Sequence, residues 1–240
     1  MPDLSSSQLR AANALARDLQ EVFGARLQAL VAYQGSHGDG SLHSCAVVDD
    51  LSFKDLTRCL PFTARWHQRR VAVPLMLSQD ELRRTLDIFP LEYAAIAADH
   101  VLIRGGRDPF AGLAVPAADL RRAVEAQAKS HLIHLREAYL ESHGESTRIA
   151  QVIAASAGPL RALLHNVARL HDAAVTTMPD EALAATAEAR MGMPAAVVRE
   201  VLAASAAGPS NVTDPSHLLA RYIAAAESMW EYVDRLPAAQ

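Results

Sequence analysis

Apolar residues near the N-terminus recur at helical spacing: Leu9, Ala12, Leu15, Ala16, Leu19 and Val22 share one face. Ser5 or Ser6 can cap this helix and Gly24 can end it. The period then changes. Residues 27–33 and 44–48 are near-continuous apolar runs, which predict buried strands, and Asp49-Asp50 close the second. Ser52 caps a further helix to about Arg69, with Leu56, Leu60, Ala64 and His67 spaced along it. Its Pro61 would cost about 3 kcal/mol in a helix interior, so a break or kink is expected near Leu60. Residues 70–77 predict a third strand, at an edge or with a bulge because of Pro74. Ser78 and Glu81 frame a capping box for a short helix, which Phe89-Pro90 should end. Residues 93–96 and 101–104 predict two more short strands before Gly105-Gly106.

From Pro116 onward the pattern is helical throughout. Residues 119–142 place Leu120, Ala123, Val124, Ala128, Leu132, Leu135 and Tyr139 at a helical period, closed by Gly144. Residues 146–174 carry Ile149, Ile153, Leu160, Leu163 and Val167, with Gly158-Pro159 expected to kink them. Residues 179–191 and 194–207 each open on a proline suited to a first turn, and Asp214-Pro215 starts a last helix to about Leu236. Short connections between such helices favour an antiparallel bundle. The expected fold class is α+β: a mixed sheet with flanking helices over residues 1–115, then a helical bundle over 116–240.

Composition narrows the function classes. Half of the 240 residues are hydrophobic, enough for a packed core, and 23 basic against 27 acidic side chains are well mixed, for a net charge of −4. No basic field stands out, so nucleic acid is not an expected partner. No apolar run reaches about 18 residues and Met1-Pro2-Asp3-Leu4-Ser5 lacks a signal-peptide pattern, so the expectation is no membrane and a cytoplasmic location. Cys45 and Cys59 lack metal or redox spacing and are expected to be buried free thiols.

The candidate chemistry sits between the first two strands, in Gln34-Gly35-Ser36-His37-Gly38-Asp39-Gly40. A Gly-Ser turn leaving a strand offers backbone N–H groups and a hydroxyl to phosphate oxygens. Residues 30–40, Pro74-Leu75-Met76-Leu77-Ser78, Asp87-Ile88-Phe89-Pro90-Leu91-Glu92, His100-Val101-Leu102-Ile103-Arg104-Gly105 and Asp108-Pro109-Phe110 resemble a bacterial branch of the nucleotidyltransferase superfamily, the DNA polymerase β-like and kanamycin nucleotidyltransferase-like group. In that branch a nucleotidyltransferase-like domain precedes a helical region, and residues 132–140 resemble its first helix. The resemblance implies a nucleotide and Mg²⁺ as ligands, with carboxylates at the start of the second strand and on a later strand. Here Ser41 and His43 stand in the first two places, and residues 70–77 contain no acid.

The reading is therefore a degenerate member that lacks its metal-binding carboxylates. It would bind a nucleotide or other phosphate at Gly35 and Ser36, with help from Arg65 and Arg69 in the basic cluster that includes Trp66, His67 and Arg70. An alternative keeps transferase activity, with Asp39, His43 or Asp49 replacing the usual metal ligands. A third gives the function to the helical bundle as a homodimer or with a protein partner, with Met229-Trp230 as its apolar feature. Arg104 and Arg107, around Gly105-Gly106, form a second candidate anion site.

Overall fold

The computed structural model describes residues 4–34 and 41–237, which form an α+β protein. Backbone contacts divide the chain into two compact units, Met1–Val115 and Pro116–Gln240. In the first, helix α1 (Ser6–Phe23) starts at a capping box in which Ser5 and Gln8 satisfy each other's backbone N–H, and it stops at Gly24. A short 3₁₀ turn leads into β1 (Leu27–Gln34), and β2 (Leu42–Val48) returns antiparallel beside it. Ala29, Leu30, Val31 and Ala32 are at most 1% exposed, so β1 is covered on both faces, as its unbroken apolar run requires.

Helix α2 (Phe53–Gln68) follows from a second capping box, between Ser52 and Asp55. Strand β3 (Leu75–Ser78), helix α3 (Gln79–Arg84), helix α4 (Pro90–Ala98) and β4 (His100–Gly105) complete the unit. The sheet order is β3-β2-β1-β4; β3 runs parallel to β2, and β4 antiparallel to β1, so the sheet is mixed. One face packs Leu30, Ala32, Leu42, Ala46 and Val48 against Leu15, Leu19 and Trp66 of α1 and α2. The other packs Ala29, Val31, Cys45 and Val47 against Leu82, Tyr93, Ile96 and Phe110.

Several sequence expectations are corrected here. Residues 93–96 are not a strand but the middle of α4, because Pro90 opens a helix at its first turn and Tyr93 and Ile96, three apart, both face the sheet. The short helix after Ser78 ends at Arg84, before Phe89-Pro90. The third strand begins at Leu75, after Pro74; Arg70 lies in a turn with φ 54°, and only an isolated bridge joins Val71 to Leu42. Pro61 does not interrupt α2, nor Pro159 the later helix that holds it. In each case the residue whose carbonyl loses its donor, Thr57 or Ala155, is exposed, where water can take the bond.

In the second unit, α5 (Ala117–Glu141), α6 (Ser146–Arg169), α7 (Asp180–Met191), α8 (Ala195–Ala207) and α9 (Pro215–Arg235) pack as a bundle. Helix α5 buries Leu120, Val124, Ala128, Leu132 and Leu135 but leaves Tyr139 exposed, contrary to the helical pattern. Among the described residues no helix is long and apolar enough to cross a membrane.

Candidate functional site

Gly35, Ser36 and Asp39 lie outside the described residues, so the surroundings of the turn are read from the strands on either side. Strand register puts Tyr33 of β1 opposite His43 of β2 on one side and opposite His100 of β4 on the other. Cross-strand partners share a sheet face. Three polar rings thus form a row across the end of the sheet next to the turn, with Tyr33 and His43 ring centres 5.9 Å apart. Burial, with smaller contributions from Cys45 and Glu92, pushes the Tyr33 hydroxyl up to about 12, so it acts as a neutral hydrogen-bonding group.

Both ring nitrogens of His100 are engaged within the unit. Its Nδ1 meets the Ile96 carbonyl at 2.7 Å and its Nε2 meets the Asp108 carboxylate at 2.8 Å. With both nitrogens engaged, neither can act as a base on a ligand or take a metal. Burial alone would raise the Asp108 carboxyl, but hydrogen bonds from His100 and from the Phe110 and Ala111 N–H groups outweigh it and hold the group below the usual carboxylate range. The pair clamps the segment after β4 to the sheet. Strand register brings Tyr33, His43 and His100 together, and the His100–Asp108 bond adds Asp108.

The remaining candidates fall in separate places. Helix α2 returns toward the turn, and the N–H of Leu42, the first residue of β2, donates to the Arg70 carbonyl at 2.8 Å. Arg69 caps that end of α2 and is exposed, at the same end of the sheet as the turn. Arg65 is held elsewhere: its Nη2 donates to Asp18 Oδ1 at 2.7 Å, while Trp66 Nε1 donates to Asp18 Oδ2 at 2.9 Å. Asp49 and Asp50 follow the far end of β2, and Asp50 pairs with Arg26 at 3.3 Å. Six residues of strand separate His43 from Asp49, roughly 20 Å at the usual rise, so the structure does not bring these two proposed metal ligands together.

The metal fit is poor among the described residues. Strand β3 is Leu75-Met76-Leu77-Ser78, without a carboxylate, and no cluster of three His, Cys, Asp or Glu side chains converges. A divalent hard cation wants several oxygen ligands, which Ser41 and His43 do not supply by residue type. Both cysteines are buried and free, and burial pushes the Cys45 thiol up to about 12, so no thiolate nucleophile is poised there. In the bundle, Met229 is fully buried within its own unit, and Trp230 is half-buried with Lys129 Nζ 3.5 Å from its ring centre. Met229 is therefore core filling, and Trp230 packs against Lys129. No protein-family model matches this chain, and no curated protein matches it.

Proposed function

We propose that this protein is a nucleotidyltransferase-like fold that does not transfer nucleotides, and that it holds a nucleotide or another phosphate at Gly35 and Ser36. The observation that carries this reading is an antiparallel β1–β2 pair that flanks Gly35 and Ser36 along the chain, joined by a β3 that bears no acid. Phosphoryl transfer through divalent cations depends on carboxylates that fix the ions and stabilise developing charge. Asp49 and Asp50, beyond the far end of β2, are poorly placed for that work. Arg69, exposed at the C-terminal end of α2, is the basic side chain proposed to assist Gly35 and Ser36. Incubation with labelled nucleoside triphosphates, Mg²⁺ or Mn²⁺ and candidate acceptors tests the proposal. We expect no transfer, and metal-dependent transfer that disappears in Ser36→Ala would overturn it.

A second reading, association through the bundle, has one supporting observation. Ile133 and Leu140 of α5 stand seven residues apart on one stripe and are 41% and 74% exposed. Sedimentation of the wild type and of Leu140→Lys distinguishes the two: a dimer lost in the variant would favour association.

A further inference from the structure

A cleft of about 560 Å³ opens at the end of the sheet opposite the 35–40 turn, where Ala29 of β1 faces Val47 of β2. Its floor is apolar, made by Ala29, Val47, Leu82 of α3 and Leu113. Arg83, Arg107, Gln28 and Gln79 also line it, together with Asp108.

Neither arginine has an acidic partner among the described residues. Three acids near them in the chain are engaged: Asp80 by Arg84 at 3.3 Å, Glu81 by the Ser78 N–H at 2.7 Å, and Asp108 by His100 and the Phe110 N–H. The lining thus holds two arginines and one carboxylate that His100 already engages, over an apolar floor.

The cleft is also built before any ligand arrives. Strand β4 ends at Gly105, whose φ is 127° and where a Cβ would lie 2.5 Å from the Gln28 carbonyl oxygen. Only glycine allows β4 to approach β1 so closely there. Beyond it, buried Phe110 anchors the segment that forms one wall, and the Asp108–His100 bond ties that segment to the sheet. Such fixed walls lower the ordering cost of binding.

We infer that this cleft binds a phosphate monoester carried on a flat apolar body, about the size of a mononucleotide. Its volume falls within the roughly 300–1,000 Å³ of small-molecule sites. Guanidinium forks match phosphate oxygens, and two of them suit a dianion better than a singly charged carboxylate. The apolar floor takes the ring, and the glutamine amides take its polar edge. The site is independent of whatever the 35–40 turn holds.

Calorimetric titration of the full chain with 1-naphthyl phosphate and with AMP tests this, with 1-naphthol as the uncharged control. We expect saturable one-site binding of at least one monoester. It should weaken at least tenfold in the Arg83→Gln/Arg107→Gln double variant. Both arginines are exposed, so the double variant should keep the wild-type circular dichroism and unfolding midpoint. No saturable binding, binding unchanged in the double variant, loss in Ser36→Ala, or equal affinity for 1-naphthol would each overturn the inference. Loss in Ser36→Ala alone would instead place phosphate binding at the turn.

Discussion

The carboxylate of Asp18 decides what two of its neighbours can do. Asp18 is 8% exposed and accepts from both Arg65 and Trp66, so an exposed arginine that reads as a phosphate ligand in the sequence is held by a nearly buried carboxylate. Fully satisfied networks of this kind are hard to dismantle, because removing one member leaves the others buried without partners. His131 of α5 shows the same dependence on context. Its Nε2 lies 2.6 Å from the Tyr222 hydroxyl, and burial, with a smaller effect of His134, lowers its pKa to about 4. The unfolded ring titrates near 6.5. Between those values the unfolded chain binds the proton and the folded one does not, so the bundle loses stability as pH falls from about 6.5 to about 4. The loss is at most about 3 kcal/mol. His131→Gln keeps a polar partner for Tyr222 but cannot titrate. Urea unfolding at pH 7, 5.5 and 4.5 should show that variant losing less stability than the wild type over this window, and parallel losses would refute the assignment.

At the scale of elements, α2 is the instructive case. The sequence stripe Leu56, Leu60 and Ala64 reads as the core face, yet Leu56 and Leu60 are 41% and 64% exposed. The buried side is Asp55, Cys59 and Trp66, with Phe62 packed against the same cluster. That stripe begins with a carboxylate, which is why hydrophobic spacing passes it over. Asp55 is tolerated there because Arg26 reaches it at 2.5 Å and Ser52 donates to it at 2.7 Å. Leu60→Lys should therefore change stability by less than about 0.5 kcal/mol, whereas Trp66→Ala should cost about 3–5 kcal/mol. Denaturant midpoints of the two variants measure both, and a larger loss for Leu60→Lys would reverse the face assignment. Where an element's ends are set by local chemistry, the sequence was a good guide. Ser5, Ser52 and Ser78 cap the helices expected of them, and Gly24 ends α1. Where the choice lay between helix and strand for a short apolar run, as at Tyr93 and Ile96, spacing alone could not decide it.

For the molecule as a whole, acid stability rests on carboxylates distributed through both units. Arg26 first, then Ser52, holds the Asp55 carboxyl well below its usual range; Arg161 lowers Asp180 through a paired contact at 2.8 Å; Asp108 is lowered as described above. Each contributes stability that is present above the unfolded carboxylate range, near pH 4, and is lost as pH falls through the folded value. The wild type should thus lose stability in a second step below about pH 4, distinct from the His131 window. Arg26→Met should make that step shallower while lowering stability at neutral pH; thermal melts from pH 5 to pH 2 would show it, and an unchanged acid step would exclude the Arg26–Asp55 pair as its source.

What the sequence determined by itself were the features that local physics controls: the apolar runs of β1 and β2, the serine caps, the glycine stop and the helical period after Pro116. Each depends on residues within a turn or two of one another. Only the tertiary structure decided which face of α2 is inside, that Arg65 belongs to Asp18, that Tyr33, His43 and His100 share a row, and that Arg83 and Arg107 share a cleft. Those pairings join residues far apart along the chain. They follow from strand register and from burial, in which a carboxylate is accepted into the core once a guanidinium more than twenty residues away can reach it.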